Sequence, residues 1–272
     1  MKKIYITVIL TLMYVPIVLV IIYSFNQSRL TSIWGGFTFS WYRELFRDRT
    51  MFNALMNSLF LAAVSSLLAA VIGTLGAVGM VWAKPFFKNG TKIRQGRLAG
   101  VMEYLAILPI MTPEIIMGMI LLAFFSLLRF PLGMFTLVLA HTGFCIPYVY
   151  LLVKARLAGL DRGYIDAARN LGAGTLRAIR DILFPLIMPA VISGILLSFA
   201  MSFDDVIISI FVTGPQTNTL PIRIFTQLRT GVTPKTNALC SLLFVITILL
   251  CILSLAISRI KVPANAPEKN SD

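Results

Sequence analysis

Residues 166–185 read DAARNLGAGTLRAIRDILFP. Asp166, Arg169, Arg177, Arg180 and Asp181 crowd into this one stretch, around Gly172 and Gly174, while long runs of Leu, Ile, Val, Phe and Ala lie on either side. Just before it, Asp161 is placed to cap a helix start by accepting free backbone N–H groups. From there Tyr164, Ile165, Ala168 and Leu171 recur at helical spacing. Gly172 and Gly174 then predict a break, because glycine enters conformations that end a helix. Thr175 is placed to cap a second helix, with Leu176, Ile179, Ile182 and Leu183 on its apolar side, and Pro185 opens the next apolar run. The segment reads as two short amphipathic helices. A pair of helices lying on a lipid surface would show the same pattern.

The surroundings of this segment set its context. Hydrophobic residues make up 58% of the 272-residue chain and charged residues 13%, against roughly 25% charged in soluble domains. A helix crossing a membrane needs about 20 mostly apolar residues. Six stretches meet that requirement, near 4–25, 55–83, 101–128, 132–153, 186–212 and 238–258. They are continuous rather than alternating, so they predict an all-α membrane protein and not a barrel. The first begins behind Lys2 and Lys3 like a signal peptide. Its apolar run exceeds the roughly 7–15 residues of a signal core, and no small-residue cleavage site follows, so it reads as a retained span. Cys145, Cys240 and Cys251 all fall inside apolar runs and read as small buried hydrophobes.

The formal net charge of +13 raises the question of nucleic acid. The basic residues sit in loops between spans, with no basic run interleaved with aromatics, which excludes that reading. Their distribution instead orients the chain. With the N-terminus in the cytoplasm, sixteen Lys and Arg fall on the inner side and eight on the outer, a bias that places both termini and the 154–185 segment inside. The loop at 26–54 is then outer, and Trp34, Trp41 and Tyr42 in it suit an interfacial aromatic belt. The loop at 84–100 is basic and inner, and the polar tail is expected to be disordered. No Gly-x-x-x-x-Gly-Lys loop and no His-Glu-x-x-His pair is present, so the chain is expected to be no enzyme.

Asp166-Ala167-Ala168, three residues, Gly172, nine residues, Ile182, one residue, then Phe184-Pro185 resembles the EAA loop of ATP-binding-cassette importer permeases. There the pattern is Glu-Ala-Ala, Gly, Ile, Leu-Pro at the same spacing; Asp166 replaces Glu and Phe184 replaces Leu. Asn57-Ser58-Leu59 at the start of the second span is similar to the Asn-Ser/Thr-Leu of the same family. The resemblance implies a type I importer permease fold with six transmembrane helices and a cytoplasmic coupling helix. The permease domain would cover 1–258, with the coupling loop at 154–185 and a cytoplasmic tail at 259–272. Asp166, Ala167, Ala168, Gly172, Ile182 and Pro185 would couple to a cytoplasmic ATPase dimer. Further implied partners are a second homologous permease, giving a heterodimer, and an extracytoplasmic binding protein facing the 213–237 loop. ATP and Mg would be bound by the ATPase, with no cofactor in this chain, and the site would be the bacterial inner membrane.

Ionisable residues inside a span are costly and mark function by default. Glu114, Asp204 and Asp205 are such residues. Glu114 follows Pro109 and Pro113, which bend a helix, and lies about 20 Å along the third span. A carboxyl there could equally pair with a polar neighbour such as His141. The lone His141 reads as a hydrogen bonder between helices. Asp204 and Asp205 lie about 100° apart on a helix, so one of them at most would face a central path; the other would cap or join helices. Phe203 and Tyr148 are candidates for cation–π contacts. Ser202-Phe203-Asp204-Asp205, Phe211, Gly214-Pro215 and Thr219-Leu220-Pro221, with PEIIMG at 113–118, resemble the C-type subunit of the spermidine/putrescine permeases. That resemblance implies polyamine as cargo. Another organic cation, or an amino-acid-like substrate, belongs to related permeases. A gradient-driven transporter would show an inverted repeat, and none is visible; an ion channel would conduct without ATP.

Overall fold

The computed structural model describes residues 2–29, 33–82, 92–161 and 163–260. In chain order the helices are α1 (Lys2–Tyr23), α2 (Ser40–Arg47), α3 (Arg49–Trp82), α4 (Lys92–Met111), α5 (Glu114–Leu127) and α6 (Met134–Ala158). They continue with α7 (Gly163–Asn170), α8 (Thr175–Ala178), α9 (Phe184–Asp204), α10 (Ile207–Val212), α11 (Leu220–Thr230) and α12 (Pro234–Ile260). A π turn at Ile179–Leu183 joins α8 to α9. Four of the described helices are long and apolar enough to cross a membrane, and the bent pair α4–α5 counts as a fifth. The apolar part of α12 runs over Pro234–Leu249. Residues 83–91, which include part of the basic loop, and the tail at 261–272 lie outside the described residues.

The chain divides into two compact units, Met1–Met51 with Thr226–Asp272, and Phe52–Phe225. In the first, α12 packs along α1 and α2. Asp48 caps α3: its carboxyl accepts from the Thr50 amide at 3.0 Å and the Met51 amide at 3.1 Å. It also pairs with Lys235 at 2.8 Å. Burial pushes the Asp48 carboxyl up, but Lys235, Thr50 and the Met51 amide outweigh it and hold the group well below the usual carboxylate range. Trp41 is buried and donates its indole N–H to the Asn26 carbonyl at 2.7 Å. Tyr42 hydrogen-bonds Ser24 at 2.7 Å. Both rings are therefore internal pins rather than members of an exposed belt, which corrects the reading of the 26–54 loop. Trp34 remains half-exposed, edge-on to Tyr23.

The second unit is built around α6. Apolar helices gain no hydrophobic drive from meeting each other in lipid, so close approach and polar contacts must hold them. Two glycines supply the approach. A Cβ on Gly73 of α3 would meet the Ile146 carbonyl and Val149 Cβ at 3.0 Å. A Cβ on Gly194 of α9 would meet Val149 at 3.2 Å. Backbone thus presses on α6 from two helices at one level. Cys145 on α6 is buried, and Cys240 is half-buried; the Cys251 side chain lies outside the description.

Three local features depart from straight spans. The 101–128 stretch is not one rod: α4 and α5 meet at 113° across Thr112 and Pro113. Pro113 cannot donate a backbone N–H and biases Thr112 away from helical geometry. The 186–212 stretch is broken as well, because Asp205 is extended (ψ 126°) between α9 and α10. The second amphipathic helix is not a separate element either. α8, the π turn and α9 run on as one helical body from Leu176 to Asp204. Pro185 has no N–H for the Asp181 carbonyl, and its ring needs room beside it. The wider π turn, in which the Phe184 amide bonds Ile179, supplies that room.

Candidate functional site

A cavity of about 450 Å³ opens in the second unit where α5, α6 and the α9–α10 break converge. Glu114, Asp204 and Asp205 all line it, with Phe144, Met201 and Ile207 as apolar wall. The bend at Pro113 makes Glu114 the first residue of α5, where the helix dipole favours a negative group. Glu114 is exposed, and Asp204 is exposed at the end of α9. Three carboxyl groups beside apolar wall suit a cation with an aliphatic body.

Asp205 differs from the other two. Only 4% of its side chain is exposed. Its carboxyl accepts from the Ile208 amide at 3.2 Å, the Ser209 amide at 2.8 Å and the Ser209 hydroxyl at 2.9 Å. This is a helix cap, so Asp205 both starts α10 and edges the cavity. The expectation that only one of the two aspartates faces the cavity fails for a physical reason: the helix stops between them, and the 100° rule no longer applies.

His141 does not pair with Glu114. Its ring lies 2.7 Å from the Ser202 hydroxyl, 3.0 Å from the Ser209 hydroxyl and 3.5 Å from the Asp205 carboxyl. It joins α6 to α9 and α10, as a hydrogen bonder between helices should. Among the described residues, no hydrogen bond or ion pair engages Glu114. The structure separates the other two aromatic candidates from the cavity lining. Phe203 stacks on Phe199 at 6.1 Å. Tyr148 stands edge-on behind Phe144, with centroids 5.9 Å apart. Phe144 itself was missed. Its place three residues after His141, and four before Tyr148, was the available signal.

The close packing around the cavity is also glycine-dependent. A Cβ on Gly118 of α5 would stand 2.4 Å from the Phe211 ring of α10. A Cβ on Gly214 would stand 2.2 Å from the Leu132 carbonyl. The Asn57 amide donates to the Asn218 carbonyl at 3.1 Å, and the Ser58 hydroxyl accepts from the Leu220 amide at 2.8 Å. Asn57 and Ser58 therefore moor the chain that leaves α10 to the side of α3.

The polar segment at 163–185 forms a second feature. The Asp161 carboxyl accepts from the Gly163 amide at 2.9 Å and so starts α7. Gly172 has φ +82°, and the Ala173 amide bonds the Ala168 carbonyl at 2.9 Å. That six-to-one bond closes α7 in a Schellman turn. A Cβ on Gly172 would meet nothing within 4 Å, so conformation, not space, demands glycine there. Ala168 is buried in the core, whereas Ala167 is exposed. Of the two alanines, only Ala167 is open to a neighbour. Ile182 packs partly against the core and Pro185 is exposed. Tyr164, Leu171 and Leu176 turn outward, Leu171 being 89% exposed. The side chains of Ile165, Asp166, Arg169 and Thr175 lie outside the description; Thr175 itself is the first residue of α8.

Membrane-length helices, a carboxyl-lined cavity and a polar segment that exposes Tyr164, Leu171 and Leu176 fit a membrane permease. The chain belongs to the binding-protein-dependent transport system inner membrane component family, whose model matches residues 77–264. It is a multi-pass protein of that inner-membrane permease family. It is 38% identical over 259 residues to the spermidine/putrescine transport system permease protein PotC of Haemophilus influenzae, covering 95% of this chain and 96% of that one. It is 40% identical over 241 residues to the putrescine transport system permease protein PotI of Escherichia coli K12, covering 86% and 82%. Its fold is similar to that of the MetNI methionine ABC transporter, at a TM-score of 0.62 and 18% identity over 82% of this chain and 97% of that one. A second solved structure of similar fold is an amino acid ABC transporter, at a TM-score of 0.55 and 16% identity, covering 82% of this chain and 98% of that one.

Proposed function

We propose that this chain is the permease subunit of an ATP-driven polyamine importer, with spermidine or putrescine as cargo. The observation that carries the reading is the gathering of Glu114, Asp204 and Asp205 around one cavity walled by Phe144, Met201 and Ile207. A linear polycation leaving water needs carboxylates to replace its hydration and apolar wall for its methylenes. The names of the PotC and PotI relatives support the same cargo. Glu114 and Asp204 take the ammonium groups, since Asp205 already spends its oxygens on α10. Phe144, rather than Phe203 or Tyr148, is the aromatic wall.

The 163–185 segment is the coupling element. The exposed face of Tyr164, Ala167, Leu171 and Leu176 meets a cytoplasmic ATPase dimer, with Asp166 at the rim. Gly172 fixes the exit of that face, and Ile182 and Pro185 carry it into α9. The Lys and Arg bias supports both termini and this segment on the cytoplasmic side. ATP and Mg are bound by the ATPase. A second, homologous permease and an extracytoplasmic binding protein complete the assembly, with the binding protein above the 213–237 loop.

The test is uptake of labelled spermidine by proteoliposomes holding this chain with its partner subunits. Uptake is expected only with ATP, and with competition from putrescine but not from unrelated cations. ATP-independent flux would instead fit a secondary transporter or a channel. Competition by another organic cation or an amino acid would reassign the cargo.

A further inference from the structure

His141 sits about two turns into α6 with none of its surface exposed. A buried ring with two polar nitrogens needs a partner at each. Here the two partners stand on opposite sides of a break. Ser202, at Nδ1, is in the last turn of α9; Ser209, at Nε2, is in the first turn of α10. Between them Asp205 is extended, and the ladder of helical backbone bonds is interrupted. One imidazole therefore holds both banks of the gap from which Asp204 and Asp205 reach the cavity.

The direction of the hydrogen bonds follows from the acceptor at one end. An ionised carboxyl only accepts, so the Ser209 hydroxyl donates to Asp205. Ser209 oxygen then accepts from His141 Nε2–H, which leaves Nδ1 to accept from Ser202. Ser65 of α3 stands 3.2 Å behind Ser202. A single run of hydrogen bonds thus leads from Ser202 on α9 through α6 and α10 to a carboxyl on the cavity edge, and Ser65 stays outside it because its own hydroxyl donates to the Leu61 carbonyl. With His141 removed, the Ser209 hydroxyl loses the ring that fixes it, and Ser202 is no longer tied to α10.

We propose that His141 is a positioning residue for the cavity, clamping Ser202 to Ser209 so that the opened helix presents Asp204 at a fixed place and keeps Asp205 on α10. This rests on the reading of the cavity as a polyamine path. The alternative is that His141 merely glues three helices together. Gluing predicts lost protein or lost thermal stability, with surviving protein transporting at an unchanged spermidine half-saturation. Clamping predicts a changed half-saturation in well-assembled protein.

The experiment uses the complete transporter in proteoliposomes with saturating ATP and a fixed amount of binding protein, and spermidine as probe. His141→Leu is expected to raise the half-saturation of uptake about tenfold, the scale of losing a hydrogen bond next to a charged group. Ser202→Ala and Ser209→Ala each delete one hydroxyl with little change of volume. They are expected to raise it in the same direction, and to add little to His141→Leu when combined with it. His141→Gln, whose amide can reach the Nε2 position, is expected to recover part of the loss. Unchanged half-saturation in assembled Ser202→Ala and Ser209→Ala overturns the clamp, even if His141→Leu fails to assemble. Simple addition of the single effects overturns it as well. Asp204→Asn is the control for the underlying reading. If it too leaves uptake unaltered, the cavity is not the path; if it responds while the serine variants do not, only the role of His141 falls.

Discussion

Gly172 shows how much a single residue can fix when its neighbours leave it free. No atom stands where its side chain would go, yet its φ of +82° is one that other residues occupy at a cost. Gly172→Leu is therefore expected to abolish ATP-driven uptake while the protein still inserts and accumulates. Gly172→Asn, which tolerates left-handed backbone, is expected to keep a measurable fraction of it. Uptake assays beside immunoblots of the membrane fraction separate the two. The cavity carboxyls make a different kind of demand. Glu114→Gln and Asp204→Asn keep shape and remove charge, and each is expected to raise the spermidine concentration needed for half-maximal uptake without altering assembly with partner subunits. Asp48 adds a pH dependence at the head of α3. Its folded-state pKa lies below its unfolded one, so its contribution is fully present above about pH 4 and lost as pH falls further. Asp48→Asn is expected to lower the melting temperature in detergent at neutral pH, with the gap to the parent protein closing under strong acid.

Helices meet here through absences as much as through side chains. Gly73 and Gly194 let α3 and α9 press on α6 around Val149. Gly73→Leu puts a branched side chain against the Ile146 carbonyl, which cannot swing aside, and is expected to cost at least about 1–3 kcal/mol, the overpacking range. Thermal melting followed by size-exclusion chromatography would show it as early aggregation. Gly118→Ala should cost less, because its obstacle is the Phe211 ring rather than backbone. The apolar helices were legible from composition and length alone, and Pro109 and Pro113 announced a bend in the third stretch. The break at Asp205 was harder to see. The run SFDDVIISIF contains no glycine or proline, and the helix stops because the Asp205 side chain outbids the backbone for the Ile208 and Ser209 amides. Two adjacent aspartates in an apolar run were the trace of it, since aspartate competes with helical hydrogen bonding. Trp41 went the other way: an aromatic near an interface serves as belt or as pin, and only the position of the Asn26 carbonyl decides.

Across the whole molecule, Asp204, proposed to meet cargo, and Ile182 and Pro185, the end of the segment proposed to couple, belong to one helical body. That arrangement could not be read from the motif, which seemed to end in a separate helix before Pro185. The π turn removes that separation: Leu176 to Asp204 is a single body of 29 residues, about 43 Å long. Ala178→Pro, immediately before the π turn, would cut this body near its base, and uptake is expected to fall while ATP hydrolysis by the assembled complex continues. Uptake at the parent level in assembled complex would show that the helix transmits nothing. On the proposed reading, a continuous rod of that length would act as a pushrod. A tilt of about 4° at its foot carries its tip sideways by about 3 Å, enough to trade one ammonium–carboxyl contact for another, so no relay of successive side-chain rearrangements is needed between the two ends.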